Sequence, residues 1–132
     1  MSGVVVDTSA WIDYFAGRDI PLLDDALKQG SVVLPPIVAA ELVSGAHRAR
    51  DREVLIDFLE QLPLHETPRE HWIKVGELRR RCREKGLSVS TPDAHVAQCA
   101  LDRDALLFSL DDVFAKIARH TRLRVAPPIQ PS

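Results

Sequence analysis

Short apolar runs alternate along the chain with longer segments in which apolar side chains recur every three or four residues. The runs at 4–6, 31–34 and 105–109 resemble strands that are buried on both faces, and the longer segments resemble helices with one buried face. In chain order the pattern predicts strand 4–6, helices 10–16 and 21–29, strand 31–34, helices 36–48 and 51–62, a short edge strand 64–66, helices 67–85 and 90–101, strand 105–109, helix 111–120 and strand 122–126.

Residue types that start and stop helices support several of these boundaries. Thr8 or Ser9 is predicted to cap the first helix, and Gly17 is predicted to end it. Thr67, which is followed by a proline, and the Ser-Thr-Pro-Asp sequence at 90–93 are predicted to open the two longest helices of the second half.

The alternation of strands and helices predicts an α/β fold with a parallel sheet covered on both faces and right-handed crossovers. A length of 132 residues suits one domain. We expect that domain to span residues 1–126 and residues 127–132 to form a loose tail. The N-terminus has no basic segment of the secretory kind, and prolines interrupt the longest apolar run, at 32–40. These features predict a cytoplasmic protein without a membrane span.

Charge is unevenly distributed, although the net charge is only −2. Residues 69–85 contain seven basic and three acidic side chains, and residues 116–124 contain four basic and no acidic ones. Such runs suit contact with nucleic acid, but arginines on a long helix also commonly form a solvated face. Both interpretations of the run from Arg79 to Lys85 remain open at this stage.

Four carboxylates occupy positions where a functional site is expected. Asp7 and Asp111 follow the strands that end near 6 and 109, and ligands of parallel sheets bind at the carboxyl ends of strands. Glu41 lies in an otherwise apolar helical segment, and Asp93 lies on the apolar stripe of its helix. Carboxylates gathered on a buried face need compensation, and oxygen ligands favour Mg²⁺ or Mn²⁺. Such a centre is suited to phosphodiester hydrolysis.

Each acid also has a simpler explanation when it is considered alone. Asp7 and Asp111 could cap helices or turns, Asp93 could stabilise a helix N-terminus, and Glu41 could pair with Arg48. Their joint placement at one end of one sheet favours the metal site over four separate structural roles.

Four segments resemble, in order, the motifs of PIN-domain ribonucleases, and their length and spacing resemble the VapC toxins of VapBC toxin–antitoxin pairs. These segments are 5–12 (VVDTSAWI), 36–42 (PIVAAEL), 91–97 (TPDAHVA) and 107–114 (LFSLDDVF). The resemblance covers essentially the whole chain. It implies a PIN-like α/β/α sandwich with a central, mainly parallel sheet of four to five strands.

The resemblance further implies a Mg²⁺- or Mn²⁺-dependent endoribonuclease whose catalytic residues would be Asp7, Glu41, Asp93 and Asp111. By the same resemblance, Asp7 and Asp93 are the most direct metal ligands, and the other two acids complete the site, partly through water. Ser9 and Ser109 match small hydroxyl positions that would support the site by hydrogen bonding.

The fourth motif departs from the family pattern in two ways. Leu110 stands where many relatives have a basic residue, and Asp112 adds a second acid beside Asp111. The choice between the two aspartates for the metal is therefore open, although the spacing from Ser109 and Phe114 favours Asp111.

Two partners besides RNA are implied by the resemblance. One is a VapB-type antitoxin, whose C-terminal segment would lie in an apolar groove next to the acids, and the other is a second copy in a homodimer. Much of the aromatic cluster on the first helix is expected to belong to the core, and the remainder could line such a groove; the cluster comprises Trp11, Ile12, Tyr14 and Phe15.

Other classes of function have weaker support. A non-catalytic PIN-like module that binds RNA or protein is the main alternative, and a phosphatase-like enzyme with Asp7 as nucleophile lacks the DxDxT signature. The five histidines look scattered, and His95 is predicted to point away from Asp93. Cys82 and Cys99 lie in predicted helices without metal-binding spacing, which predicts buried, reduced thiols.

Overall fold

A computed structural model describes residues 3–127, in which strands and helices alternate as the hydrophobic pattern predicts. The elements are β1 (Val4–Val6), α1 (Thr8–Phe15), α2 (Pro21–Lys28), β2 (Val32–Val33), α3 (Pro36–Gly45), α4 (Ala49–Leu59), α5 (Arg69–Glu84), α6 (Thr91–Arg103), β3 (Leu106–Phe108), α7 (Val113–Ala118) and β4 (Arg124–Val125).

The strands form one parallel sheet in the order β2-β1-β3-β4. Val5 and Val6 are adjacent in β1 and both are fully buried. Since successive side chains of a strand point to opposite faces, both faces of the sheet are covered. The prediction of an α/β/α fold with four to five mainly parallel strands is therefore confirmed, with four strands in residues 3–127. The predicted edge strand at 64–66 is reduced to one bridge between Leu34 and Leu64.

The apolar core fills the space between the sheet and its helices. Trp11 of α1, Leu107 of β3 and Phe114 of α7 are completely buried in it. Cys82 and Cys99 are free and buried, as predicted. No helix within residues 3–127 has the length and apolar character needed to cross a bilayer.

Several predicted boundaries are wrong for identifiable reasons. Helix α1 begins at Thr8 with Asp7 as its N-cap residue, so neither Thr8 nor Ser9 caps it; their hydroxyls bind carboxylates instead. Thr67 does not cap α5 either, because Pro68 occupies the N-cap position. Helix α3 ends at Gly45 rather than near 48, since Ala46 adopts an extended conformation.

The second half of the chain follows the predicted pattern more closely. Ser90 caps α6 by accepting a hydrogen bond from the backbone N–H of Asp93, and the helix continues two residues beyond the predicted end at 101. Its C-cap residue is Asp104, which has a left-handed backbone with a φ of 51°. The predicted loose tail falls almost entirely on residues 128–132, which lie outside the described part of the chain.

Candidate metal centre

Asp7 lies at the carboxyl end of β1, where the strand turns into α1. Its backbone N–H donates to the carbonyl of Phe108 at 2.9 Å and so extends the pairing of β1 with β3. The residue is only 7% exposed, which is unusual for an aspartate. The fold therefore carries one carboxylate into the edge of the core at the end of the central strand.

Two serines hold the Asp7 carboxylate. The Ser109 hydroxyl donates to Asp7 Oδ2 at 2.9 Å, and the Ser9 hydroxyl lies 3.3 Å from the same atom. The serine oxygens also accept backbone N–H groups of the loop after β3: Ser109 from Asp111 at 3.0 Å and Ser9 from Leu110 at 3.1 Å. Two segments about 100 residues apart are thus joined around one acid.

The remaining acids come from three further elements. Glu41 is exposed on α3 and accepts a hydrogen bond from the Thr8 hydroxyl at 2.7 Å. Asp93 is partly buried in the first turn of α6. Asp111 is exposed in the loop after β3, and its Oδ1 accepts the backbone N–H of Val113 at 3.0 Å. Asp7 is therefore the buried member of the group, Asp93 is partly buried, and Glu41 and Asp111 are exposed.

The negative charges of these acids affect one another's pKa. Burial raises the pKa of Asp93, and the negative charges of Asp7, Asp111 and Glu41 raise it further, although Ser90 opposes the shift. Burial also raises the pKa of Asp7, with an added contribution from the charge of Glu41, against the hydrogen bonds from Ser109, Thr8 and Ser9. The charges of Asp7, Asp111 and Glu41 therefore all act on Asp93.

The donor atoms of the four acids are all carboxylate oxygens. Within residues 3–127, no Lys, Arg or His nitrogen lies within 4.0 Å of a carboxylate oxygen of these four acids, and Glu41 makes no ion pair with Arg48. The site thus offers clustered anionic oxygens, without a neighbouring protein cation among the described residues. Such a set fits Mg²⁺ or Mn²⁺ better than zinc.

Asp112 has a different environment from Asp111. Its side chain is 82% exposed and lies 3.7 Å from Lys116, one turn further along the chain. Asp111, by contrast, contributes to the raised pKa of Asp93.

An apolar groove of about 710 Å³ borders the centre at Glu41. Ile12 and Phe15 of α1 line it and are 56% and 47% exposed, and Val54 and Phe58 of α4 form another wall. Trp11, by contrast, is fully buried and packs against the rings of Phe15 and Phe58. The aromatic cluster of the first helix is thus divided between the core and this groove, as expected from the sequence.

A buried histidine cluster is a feature that the sequence analysis missed. His71 Nδ1 lies 2.7 Å from Asp102 Oδ2, and its Nε2 lies 2.8 Å from His95 Nδ1. His65 Nε2 is 3.2 Å from the same carboxylate oxygen, and Cys99 Sγ is 3.6 Å from His95 Nε2. The interpretation of the histidines as scattered is therefore wrong for these three.

One assignment of hydrogens satisfies the whole cluster. Arg103 Nε can only donate, so His65 Nδ1 accepts from it at 2.8 Å and His65 Nε2 donates to Asp102. His71 then donates to Asp102 and accepts from His95, which accepts in turn from Cys99. All three imidazoles are neutral and Asp102 is ionised in this arrangement. Ligand atoms of His65, His71 and Cys99 lie within 4.8 Å of one another. In this arrangement, however, the nitrogens of His65 and His71 that face the Asp102 carboxylate carry protons and are not free to bind a metal.

The sequence did contain a signal for this cluster. His95, Cys99 and Asp102 are spaced four and three residues apart on α6, which places them on one helical face. Their partners His65 and His71 come from the segment before α5 and from α5 itself, and helix packing alone brings them together.

The sequence model of the PIN-domain family matches residues 4–120, and the chain belongs to this family. Its fold is similar to DNA-bound VapBC from Salmonella typhimurium (20% identity, TM-score 0.79, 96% of this chain and 98% of that one). It is also similar to VapBC2 from Rickettsia felis bound to a DNA fragment from its promoter (20% identity, TM-score 0.76, 93% of this chain and 96% of that one). A third similar structure is VapBC-5 from Mycobacterium tuberculosis (22% identity, TM-score 0.70, 95% of this chain and 98% of that one). No curated protein matches the chain significantly.

Proposed function

We propose that the protein is a divalent-metal-dependent endoribonuclease and the toxin of a VapBC-type toxin–antitoxin pair. The observation that carries the proposal is the gathering of Asp7, Glu41, Asp93 and Asp111 at one end of the sheet without a neighbouring protein cation among the described residues. Membership of the PIN-domain family and the fold shared with VapBC complexes support it.

Asp7 and Asp93 would hold Mg²⁺ or Mn²⁺ most directly. They are the two acids whose pKa is raised by burial and by neighbouring negative charge, so they gain most from a cation. Glu41 and Asp111 are more exposed and already accept hydrogen bonds, which suits contact through water. When bound, the ion would activate water and neutralise charge on the phosphoryl group.

The chain's own residues orient this centre. Ser109 and Ser9 fix the position of Asp7 Oδ2, and Ser90 fixes the first turn of α6 beneath Asp93. The exposure and the ion pair of Asp112 with Lys116 favour Asp111 as the acid that completes the site. Asp112 would then contribute only to the surrounding charge.

The apolar groove beside Glu41 would receive a segment of a VapB-type antitoxin. An exposed patch of large apolar side chains is typical of a protein-binding surface. A basic residue of that segment would be attracted to the acids by the same field that attracts a metal. Homodimer formation and a cytoplasmic location belong to the same proposal, and co-purification with the product of an adjacent small gene tests the pairing.

The decisive variant is Asp7→Asn, with Asp112→Asn as a control of identical chemistry four residues beyond β3. Removing a residue that orients a metal ligand typically lowers metal affinity or activity by about 10–100-fold. Loss of the ligand itself should therefore lower Mn²⁺-dependent RNA cleavage by more than about 100-fold. We expect Asp112→Asn to remain within about threefold of the unmodified protein, because surface positions of this kind have small effects.

Thermal unfolding provides a measurement that does not depend on activity. Mn²⁺ at about 100 times its Kd should stabilise the unmodified protein by about 2.7 kcal/mol and leave Asp7→Asn nearly unchanged. In EDTA, Asp7→Asn should melt at or above the unmodified protein, because a buried, repelled carboxylate has been removed. Undiminished cleavage by a folded Asp7→Asn protein would refute the proposed function, and RNA binding without EDTA-sensitive cleavage would favour the non-catalytic alternative.

A further inference from the structure

A basic groove lies between α5 and the turn that follows α7. Its volume is about 760 Å³, and its cations are Lys74, Arg81, Lys85, Arg119 and Arg122. Among the residues that line it, Glu77 is the one carboxylate. Five positive charges against one negative charge are concentrated here, in a chain whose net charge is −2.

Two regions that are distant in sequence form its walls. Lys74, Arg81 and Lys85 are seven and four residues apart, so they share one face of α5. Arg119 and Arg122 face them from the turn at 119–122. The Thr121 hydroxyl fixes this turn by donating to the carbonyl of Ile117 and accepting from the N–H of Leu123.

The groove cations are largely not engaged by the protein. Within residues 3–127, Arg81, Lys85, Arg119 and Arg122 make no side-chain hydrogen bond or ion pair. Their neighbours on α5 differ: Arg79 donates to the carbonyl of Val89 at 2.9 Å, and Arg80 pairs with Glu84 at 3.0 Å. The structure therefore distinguishes Arg79 and Arg80, which have partners in the protein, from Arg81 and Lys85, which line the groove.

The groove extends away from the acidic centre along α6. Its floor includes Gln98 and Leu101, which follow Asp93 by five and eight residues. A helical rise of about 1.5 Å and a rotation of about 100° per residue place Gln98 about 7.5 Å along the helix axis from Asp93 and about 140° around it. The same geometry places Leu101 about 12 Å along the axis and about 80° around it.

We propose that the basic groove binds the phosphate backbone of single-stranded RNA outside the acidic centre, so that Arg81, Lys85, Arg119 and Arg122 are substrate-positioning residues. The identification of this RNA as substrate rests on the proposed ribonuclease function. Phosphates are bound by unpaired Lys and Arg side chains, and binding of this type does not depend on sequence. The described lining contains no Phe, Tyr or Trp on which bases could stack, so the groove suits backbone contact rather than base recognition.

The test variant is Arg81→Gln/Arg122→Gln, which removes one cation from each wall. The control is Arg69→Gln/Arg83→Gln, which makes the same charge change at exposed α5 positions outside the groove. Affinity is measured by fluorescence anisotropy in EDTA, where no cleavage occurs. The probe is a labelled single-stranded RNA of random sequence and about 12 nucleotides, within the range of site sizes known for single-strand-binding folds.

Each phosphate contact to a single strand contributes about 0.7 to the dependence of log K on log salt. Loss of two contacts should therefore lower the salt slope by about 1.4 and weaken binding about tenfold near physiological salt. Arg81→Lys/Arg122→Lys keeps the charges and should bind within about threefold of the unmodified protein. In cleavage assays the Gln variant should raise KM while kcat changes little, because these contacts are made equally in the bound substrate and the transition state.

The outcomes separate this inference from the proposed function. If the unmodified protein cleaves RNA and the groove variant matches the α5 control in affinity and salt slope, the groove inference is wrong and the nuclease proposal stands. If no RNA is cleaved but the groove variant alone loses affinity, the groove is supported as an RNA-binding site and the nuclease proposal fails. Melting of each variant in EDTA confirms that the proteins compared are folded.

Discussion

The buried histidine cluster allows a quantitative prediction for His71→Leu, a substitution that keeps the side-chain volume similar. The His71 side chain is 1% exposed and bridges Asp102 Oδ2 at 2.7 Å and His95 Nδ1 at 2.8 Å. Loss of a hydrogen bond to a charged group costs about 1.5–3 kcal/mol, and the donor left unpaired on His95 costs about 1–3 kcal/mol. We therefore expect a destabilisation of about 4 kcal/mol, within the range for breaking a buried pair.

Urea unfolding followed by circular dichroism measures this loss directly. For a domain of this size, about 3–4 °C of Tm corresponds to 1 kcal/mol, so the Tm should fall by about 12–16 °C. His47→Leu is the control: His47 is exposed, and surface changes of this kind are usually within about 0.5 kcal/mol. Below its Tm, folded His71→Leu should still cleave RNA, because none of its hydrogen bonds reaches the four acids. A Tm within about 2 °C of the unmodified protein would show that the His71 hydrogen bonds do not stabilise the fold as argued.

Two further predictions concern the centre and the cluster. Ser109→Ala should reduce metal-dependent cleavage by about 10–100-fold, because the hydroxyl that orients Asp7 is lost. The control Ser88→Ala, at an exposed position, should not reduce it. Equal activity of the two variants would argue against an orienting role of Ser109. Burial, with the nearby His71 and His65, lowers the pKa of His95 to about 4, so its unfolded form, with a pKa near 6.5, binds more protons below that pH. The contribution of His95 to stability should accordingly be complete above pH 6.5 and fall by about 3 kcal/mol toward pH 4, whereas protonation of Asp7 and Asp93 acts in the opposite direction. If His95→Leu showed the same change of urea midpoint between pH 7 and pH 5 as the unmodified protein, this prediction would be contradicted.

Local pattern was sufficient for the architecture and for the acids that follow strands. The apolar run at Val4–Val6 predicted a strand buried on both faces, and Asp7 followed from the rule that sites lie at strand ends. Boundaries failed where a side chain has two possible partners. Thr8 was predicted to cap α1, but Glu41, 33 residues away, accepts its hydroxyl instead.

The two basic runs, at 69–85 and 116–124, also combine a feature that the sequence predicts with one that it does not. The sequence shows their charge, but it does not show which of their side chains are available to bind a ligand. Arg80 pairs with a glutamate four residues away, whereas Arg81 turns toward Arg122, which the fold brings from 41 residues further along the chain. Sequence periodicity assigns a residue to a face of its own helix, but it does not identify the element packed opposite that face.

By itself, the sequence determined the order of strands and helices and the parallel sheet, and it predicted four candidate acids, because hydrophobic periodicity and strand-end placement are local properties. Only the tertiary structure decided that Asp7 alone of these acids is buried, that three histidines and Asp102 form one network, and that two basic segments face each other across a groove. These features depend on contacts between residues distant in the chain, whose distances are set by packing the core as a whole.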